Sequence, residues 1–471
     1  MKNLLHAGSA MRVVSIAAAL VLAPHVHAIQ AMQSFTVNST QDLIDDNTSD
    51  SLCHTAANTC TLRAAVMQAN RSPGEGATIH LPAGTYTLTI SPSGARGDDN
   101  GDLDLVTPAS GNPVISIVGA GAASTIIDAN LKDRAFYVHT GRTAAISGVT
   151  IRNGYAGFAV DISDGGGIRN DGTLTVSGST ISGNTAVYFG GGIRNDGTLS
   201  VILSAIIGNV AGNGGGISNF NGGSLSVIKT TLGGNLATRG GGITNGGTLY
   251  LSQSTLSGNG GHDAASLGGG IWNFGALFVT DSTLSLNSVN ADGGGIYNQG
   301  TANIYNSTIA YNDADSDANS VGYGGGVYIA NATTLNIRNT LLVGNYVRGY
   351  PDFHSDCWGD GTLVPYGLNF TTTLGVCNVS NGAWSVLNSL AYLGPLQNNG
   401  GPTQTVALLS GSNAIDVGDP TFGFDCLDQN SDPILTDQRG FTRPAGYFCD
   451  IGAFEYGAMN PVDEIFKNGF E

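Results

Sequence analysis

Residues 165–184 read GGGIRNDGTLTVSGSTISGN, and the pattern returns along the chain about every 25 residues. The Gly-Gly-Gly-Ile motif occurs six times, and a seventh copy ends in Val327. The first glycines of the six copies are Gly165, Gly190, Gly214, Gly240, Gly268 and Gly293. A fixed period of this length is typical of stacked repeat architectures. We therefore expect a solenoid, which offers a long regular wall as its functional surface.

Apolar and polar residues alternate within each repeat, as in Ile168, Leu174, Val176 and Ile181 of the first copy. This period of two predicts β-strands. No repeat contains a helical stretch, so the connections are not βαβ crossovers. Parallel strands without helices predict an all-β fold, a parallel β-helix whose rungs stack roughly 4.8 Å apart.

Polar residues recur at the bends of the repeats. An asparagine follows each motif isoleucine by two residues, and we expect these side chains to stack as an amide ladder. The predicted ladder contains Asn170, Asn195, Asn219, Asn245, Asn273 and Asn298. The glycines lack the GK[ST] ending of a phosphate-binding loop. We interpret them as corners, where glycine tolerates positive φ angles.

The N-terminus and the charge point to export. Residues 1–28 combine Lys2 and Arg12 with a short apolar core and a Val26-His27-Ala28 cleavage site, as in a secretory signal peptide. The net charge is −17, which disfavours nucleic acid and anionic lipid as partners. No apolar run reaches the length of a transmembrane helix. The sequence predicts an extracellular or cell-surface protein.

The cysteines lie outside the repeats and number six: Cys53, Cys60, Cys357, Cys377, Cys426 and Cys449. In an exported chain they predict disulfides, and local pairing (53–60, 357–377, 426–449) is the simplest of about 15 connectivities. Residues 61–70 carry the one convincing helix pattern, with Leu62, Ala65, Val66 and Ala69 on one face. We expect this helix to cover the open end of the β-helix.

The predicted organisation has five parts. They are the signal peptide (1–28), a cap with the first rungs (29–130), the regular β-helix (131–345), a disulfide-bearing C-terminal module (346–457) and a tail (458–471).

Two stretches resemble known exported proteins. Residues 60–70 (CTLRAAVMQAN) resemble the CSLREA domain, with Thr61 and Ala64 departing from the family word. Residues 396–405 (LQNNGGPTQT), 411–418 (GSNAIDVG), 437–440 (DQRG) and 450–455 (DIGAFE) resemble the choice-of-anchor Q domain. The repeats resemble the right-handed β-helix of the pectin-lyase-like superfamily and polymorphic outer-membrane-protein repeats. The resemblance implies an envelope-associated protein, anchored through its C-terminal region, and implies no particular chemistry.

Charged residues recur at matching outward positions of adjacent rungs and form the best catalytic candidate. Arg169 with Asp171 and Arg194 with Asp196 occupy these positions, and Asp161 and Asp164 lie just upstream. A lyase of this fold uses a basic residue as base, and a hydrolase uses paired carboxylates. A solvated ladder of Arg–Asp pairs explains the same pattern, and we favour that interpretation. The sequence contains no G-x-S-x-G or HExxH motif.

Two acidic loops are candidates for Ca²⁺. The first contains Asp98, Asp99, Asn100, Asp102 and Asp104 around Gly101, and the second contains Asp313, Asp315, Asp317 and Asn319. Carboxylate and amide oxygens around a glycine suit a calcium loop, although both lack the bidentate Glu of an EF-hand. A solvated turn is the alternative for each loop.

Aromatic residues follow the motif on consecutive rungs. Trp272, Tyr297 and Tyr328 occupy the position after the motif isoleucine or valine, and Phe274 lies two residues past Trp272. Exposed aromatic strips mark binding surfaces, and flat rings suit sugar faces. Packing beneath the 306–330 insertion or the C-terminal module is the alternative.

The sequence is compatible with three functions. We favour a non-catalytic surface or secreted β-helix that binds a polysaccharide, matrix or cell-surface ligand, as an adhesin does. A Ca²⁺-dependent polysaccharide lyase or hydrolase is the first alternative, and a structural stalk is the second. Fold analogy alone does not decide between them.

Overall fold

The structure is a computed structural model that describes residues 32–72, 76–93, 97–107, 111, 113–157, 163–220, 222–261, 263–349, 355–380, 391–418, 426–427 and 432–460. Within these ranges the chain forms one helix and 41 strands. The strands of the solenoid pair in parallel, which confirms the predicted all-β parallel β-helix. The predicted signal peptide lies outside the described residues.

The elements follow one another in three groups. The N-terminal group contains β1 (Gln33–Thr36), α1 (Leu62–Arg71), β2 (Gly76–Leu81), β3 (Gly84–Thr87), β4 (Leu103–Leu105), β5 (Val114–Gly119) and β6 (Thr125–Asp128). The central group contains β7 (Phe136–Val138), β8 (Thr143–Ser147), β9 (Thr150–Arg152), β10 (Tyr155–Ala156), β11 (Ile168–Asn170), β12 (Thr173–Ser177), β13 (Thr180–Ser182), β14 (Thr185–Ala186), β15 (Ile193–Asn195), β16 (Thr198–Ile202), β17 (Ala205–Ile207), β18 (Val210–Asn213), β19 (Ile217–Asn219), β20 (Ser224–Ile228), β21 (Thr231–Gly233), β22 (Leu236–Arg239), β23 (Ile243–Asn245), β24 (Thr248–Ser252), β25 (Thr255–Ser257), β26 (Ile271–Asn273), β27 (Ala276–Thr280), β28 (Thr283–Ser285), β29 (Ile296–Asn298), β30 (Thr301–Tyr305), β31 (Thr308–Ala310), β32 (Asp313–Ala314), β33 (Val327–Ile329), β34 (Thr334–Arg338), β35 (Leu341–Val343) and β36 (Tyr346–Val347). The C-terminal group contains β37 (Cys357–Tyr366), β38 (Phe370–Thr371), β39 (Leu374–Val379), β40 (Leu393–Gln397) and β41 (Thr405–Leu408).

The strands of the first three repeats are distributed over three faces of the solenoid. The first repeat places β11 and β12 in a 22-stranded sheet, β13 in an 11-stranded sheet and β14 in a 4-stranded sheet. We call the 22-stranded and 11-stranded sheets the first and second sheets. The sheets continue through β37, β38 and β39, so strands of the solenoid extend to Val379, beyond the boundary predicted at residue 345.

One continuous hydrophobic core fills the solenoid. The alternating residues Ile168, Leu174, Val176 and Ile181 of the first repeat are all buried, and their equivalents stack on them rung after rung. Identical residue types align from rung to rung because the period is fixed. A shift of one residue in the strand register would turn every apolar side chain outward.

The motif glycines form corners, as predicted. The first glycine of each copy has a positive φ, for example +70° at Gly165 and +66° at Gly214. The second and third glycines are required for a different reason. A Cβ at Gly166 would lie 2.4 Å from the carbonyl oxygen of Thr185, and a Cβ at Gly167 would lie 2.7 Å from that of Gly192. The corner is thus too tight for any side chain.

The predicted amide ladder is present. Each Nδ2 from Asn170 to Asn273 donates to Oδ1 of the asparagine on the following rung at 2.7–2.8 Å. A second ladder, at the other bend, was not predicted. It contains Asn184, Asn209, Asn235, Asn259, Asn287, Asn312 and Asn345, linked at 2.9–3.0 Å.

The second ladder ends on a carboxylate. Asn345 donates to Oδ1 of the buried Asp356 at 2.9 Å, and Oδ2 accepts from the backbone N–H groups of Thr372 and Thr373. Burial raises the pKa of Asp356, while these hydrogen bonds oppose that shift. An acceptor-only group is the natural end for a chain of amides that all donate in one direction.

Helix α1 covers the N-terminal end of the core. It spans Leu62–Arg71, one residue later than predicted, and Thr61 Oγ1 caps it by accepting from Ala64 N at 3.1 Å. The predicted apolar face (Leu62, Ala65, Val66, Ala69) joins the core of the solenoid. Arg63 is fully buried and pairs with Asp42 at 2.6 Å. The helix is therefore fixed by both packing and charge.

The three predicted disulfides are confirmed. Cys53 pairs with Cys60, Cys357 with Cys377 and Cys426 with Cys449, at Cα–Cα distances of 5.1, 5.8 and 5.8 Å.

The C-terminal segment packs on the outer face of the second sheet. Gln438 binds the hydroxyls of Thr255 and Thr283 at 2.9 and 2.6 Å. The fully buried Arg443 joins Asp281 at 3.1 Å to Glu455 at 2.9 Å. The DQRG and DIGAFE motifs thus fasten this segment to the rungs. Within the described part of the chain, no helix is long and apolar enough to cross a membrane.

Candidate functional site

The residues that follow the motif isoleucines are aligned down the first sheet with their equivalents on the flanking rungs. Strand registers align ten such residues, which we call the outward column. They are Asp104, Tyr137, Arg169, Arg194, Ser218, Thr244, Trp272, Tyr297, Tyr328 and Trp358. Three separately predicted groups therefore share one surface: an acid of the first calcium loop, the two candidate catalytic arginines and the aromatic residues.

The two arginines are each bound to the aspartate two residues ahead. Arg169 Nε donates to Asp171 at 3.1 Å, and Arg194 Nε donates to Asp196 at 2.9 Å. Burial disfavours the charged guanidinium of Arg169, but the hydrogen bond and charge of Asp171 outweigh it and raise the pKa of Arg169. This arginine is held protonated, which is the opposite of what a general base requires.

Aromatic rings enclose the second arginine. The guanidinium of Arg194 lies 4.8 Å from the ring centroids of both Phe189 and Phe220. Its side chain is 7 % exposed. Cation–π contacts on two sides fix this group in place.

Asp164 faces the same guanidinium from the preceding rung. Its Oδ2 lies 3.8 Å from Arg194 Nη1, while Asp164 Oδ1 and Arg194 Nη1 are buried without hydrogen-bond partners. Burial raises the pKa of Asp164. The negative charge of the nearby Asp196 acts in the same direction, so Asp164 is a candidate acid beside the column. Asp161, the remaining member of the predicted catalytic set, lies outside the described residues.

The second half of the column is aromatic. Trp272 and Phe274 lie with ring centroids 4.7 Å apart, and Trp272 Nε1 donates to Gln299 at 3.1 Å. Tyr297 and Tyr328 stack in parallel at 4.9 Å, with an interplanar angle of 3°. All four rings are partly exposed. Stacking covers one face of each tyrosine ring, and the remaining exposed surface of the two rings is available to a ligand.

Sequence reasoning missed several members of this surface. Phe189, Asp292 and Tyr323 immediately precede the three glycines of their repeats, and an alignment of the repeats on that position would have found them. Trp358 stacks on Tyr323 at 4.5 Å but lies in a rung without the glycine motif, so no pattern pointed to it.

Three acids of the first calcium loop are bound to arginine or histidine side chains. Asp98 pairs with Arg71 at 2.6 Å, Asp102 lies 2.9 Å from Arg134 Nε, and Asp104 lies 2.6 Å from His139 Nε2. Burial raises the pKa of Asp102 to about 8. Asp99 is exposed and accepts from Asn100 Nδ2 at 2.9 Å.

The second acidic loop bonds mainly to itself. Asp315 is buried and accepts the backbone N–H groups of Asn319 and Ser320, both at 3.0 Å. Asp313 pairs with Arg348. Among the described residues, no group of three or more His, Cys, Asp or Glu has the geometry of a metal site. Calcium at either loop therefore remains a prediction from the sequence.

Comparison with known proteins gave one structural similarity. The crystal structure of pectate lyase Pel9A matches with a TM-score of 0.40 and 14 % identity, covering 91 % of this chain and 97 % of that one. No family model and no curated protein matches the chain. The resemblances to CSLREA and choice-of-anchor domains remain predictions. The β-helix itself is established by the strand pairing of this chain, independently of that similarity.

Proposed function

We propose that the protein is an exported, non-catalytic β-helix that binds a polymeric glycan along the outward column. The observation that carries this proposal is the register that aligns ten residues of the column, in which Arg169 lies over the ring of Tyr137 and Tyr297 stacks on Tyr328. The buried Ser218 and Thr244 separate the arginines from the aromatic rings. A surface that repeats along a line is suited to a ligand that also repeats along a line. Partly exposed aromatic residues supply its contact area.

The state of the arginines supports binding over catalysis. Asp171 holds Arg169 in its charged form, and Arg194 is enclosed by Phe189 and Phe220. Neither group is placed to accept a proton from a substrate. As fixed charges with donor hydrogens they remain suitable for binding polar groups of a ligand.

Export is part of the proposal. Three disulfides in one chain are typical of oxidising compartments, which agrees with the signal-like residues 1–28. The regular rungs would also serve as a rigid stalk that holds the binding surface away from a cell. Attachment through the C-terminal region rests on the choice-of-anchor resemblance.

Loss of the aromatic residues is expected to weaken glycan binding. Trp272→Ala and Tyr297→Ala should each reduce affinity about ten-fold or more, because aromatic side chains that a ligand covers dominate binding energies. The measurement is pull-down and calorimetry of residues 29–471 against pectic, alginate-like and peptidoglycan-type polymers. Tyr250→Ala is the matched control, since Tyr250 stacks on Phe278 on the same sheet but outside the outward column. Equal binding by all three variants and the unchanged protein would contradict the proposal.

A polysaccharide lyase or hydrolase is the second candidate, favoured by the raised pKa of Asp164 beside Asp196. On our proposal, the same polymers should yield no new reducing ends and no unsaturated uronates, with or without Ca²⁺. Asp164→Asn should accordingly leave the product yield at background. Turnover by the unchanged protein that disappears in Asp164→Asn would replace the binding function by an enzymatic one.

A further inference from the structure

Half-buried carboxylates beside the outward column are neutralised by cations, with one exception. The neutralised pairs are Asp171–Arg169 and Asp196–Arg194. Among the described residues, no arginine, lysine or histidine lies within ion-pair distance of Asp292. Its Oδ1 accepts only the backbone N–H of Tyr323, at 2.9 Å. A half-buried carboxylate without a counter-charge is unfavourable, so its presence calls for an explanation.

The repeat shows which partner is missing. Asp292 immediately precedes the three glycines of its copy, as Asp164 does in the first copy. Asp164 faces Arg194 of the following rung, with 3.8 Å between Oδ2 and Nη1. The equivalent residue on the rung after Asp292 is Tyr328. The fold therefore repeats the carboxylate but replaces its cation with an aromatic ring.

Burial, and after it the charge of Asp292, raises the pKa of the two neighbouring phenols. Burial raises the pKa of Tyr297, and it raises the pKa of Tyr328 to about 12. The negative charge of Asp292 acts in the same direction on both phenols. The exposed Asp360 adds a further negative charge near Tyr328. The positive charge of Arg239 opposes the rise in the pKa of Tyr297, whereas every charge that acts on Tyr328 raises the pKa of that phenol. The negative potential at this end of the column is therefore centred on Tyr328.

We propose that Asp292 and the rings of Tyr297 and Tyr328 form a subsite for a protonated amine, and that the bound polymer is a glycan of free amino sugars. This inference rests on the proposed glycan binding and specifies its ligand class. An ammonium group at this position meets a carboxylate and aromatic rings, the combination that stabilises organic cations. A polyuronate would bring carboxylates to the same negative groups. The net charge of −17 favours the amino sugar at longer range.

The test compares two oligomers of equal length, one of glucosamine and one of N-acetylglucosamine, by calorimetry at low ionic strength with residues 29–471. The unchanged protein is expected to bind the glucosamine oligomer about ten-fold more tightly, which corresponds to one ammonium–ring and carboxylate contact. Asp292→Asn should abolish this preference without changing affinity for the acetylated oligomer. Asp317→Asn removes the same charge from an exposed loop and should retain the preference.

The outcomes separate the two proposals. The acetylated oligomer or a polyuronate could instead bind as tightly as the glucosamine oligomer, or more tightly, and lose that binding in Trp272→Ala. This result would overturn the amine subsite and leave glycan binding intact. If polylysine binds more tightly than the glucosamine oligomer, and Asp292→Asn removes this difference, the ligand is not a glycan and that part of the proposal is overturned. Absence of binding to every glycan would overturn the proposed function itself. An unchanged urea midpoint in Asp292→Asn ensures that a lost preference reflects the site and not the fold.

Discussion

Replacing Gly215 with alanine is expected to lower the free energy of unfolding by about 3 kcal/mol, because the added methyl group has no room. Its Cβ would lie 2.5 Å from the carbonyl oxygen of Leu236 and 2.6 Å from that of Gly241. Both are backbone atoms one turn further along the solenoid, so no side chain can rotate to relieve the contact. The rungs themselves would have to separate, and their hydrogen bonds would lengthen. Urea unfolding followed by circular dichroism measures the change.

Gly208 supplies the matched control. It has a positive φ of +63°, but nothing lies within 4 Å of an added Cβ. Gly208→Ala therefore isolates the strain of a left-handed backbone, about 1 kcal/mol. A clearly larger loss at Gly215 would demonstrate that the motif glycines serve close approach between rungs. Equal losses at the two positions would show that the rungs shift easily and that conformation alone explains the motif.

The fold could be predicted in detail because its determinants repeat. The alternation of Ile168, Leu174 and Val176 fixes which side chains point inward, and the same register recurs in every rung. Equivalent positions of successive repeats stack on one another. A residue type that recurs with the repeat therefore also predicts which side chain lies next to it on the adjacent rung. This is why the ladder from Asn170 to Asn298 followed from spacing alone.

Beyond the last repeat, less of the structure can be predicted from the sequence. Strands β37 to β39 continue the sheets without a glycine motif, so their place in the solenoid depends on pairing that spacing does not reveal. The docking of Gln438 and Arg443 on the second sheet depends on contacts more than 100 residues apart along the chain. Long-range contacts of this kind leave no periodic signal in one sequence.

The candidate site was only partly predictable for a related reason. Spacing placed Arg169, Arg194, Trp272 and Tyr297 on one face, because each follows the motif. It did not reveal that Asp171 holds Arg169 in its charged form, which depends on side-chain geometry. The sequence pattern of the repeats therefore locates the outward column. The contacts between its side chains determine which chemistry is possible there.

Replacing Asn235 with alanine is expected to lower the free energy of unfolding by about 3 kcal/mol, because the second amide ladder would be broken in the core. Asn235 Oδ1 accepts from the backbone N–H and the side chain of Asn209, both at 3.0 Å. Its Nδ2 donates to the carbonyl oxygen of Ile206 and to Asn259 Oδ1, both at 2.9 Å. The substitution leaves the buried polar groups of Asn209, Ile206 and Asn259 without the Asn235 side chain as their partner, and water does not reach them.

Asn303→Ala is the control for the urea experiment. Asn303 also stacks on an asparagine, with Asn336 Nδ2 donating to its Oδ1 at 2.8 Å, but it points outward and is partly exposed. Water can replace that hydrogen bond, so the expected loss is below about 1 kcal/mol. If the two substitutions cost the same, the internal ladder is a by-product of the repeat. If Asn235 costs several times more, the ladder is a principal source of stability, because each buried amide satisfies backbone groups of the adjoining rung.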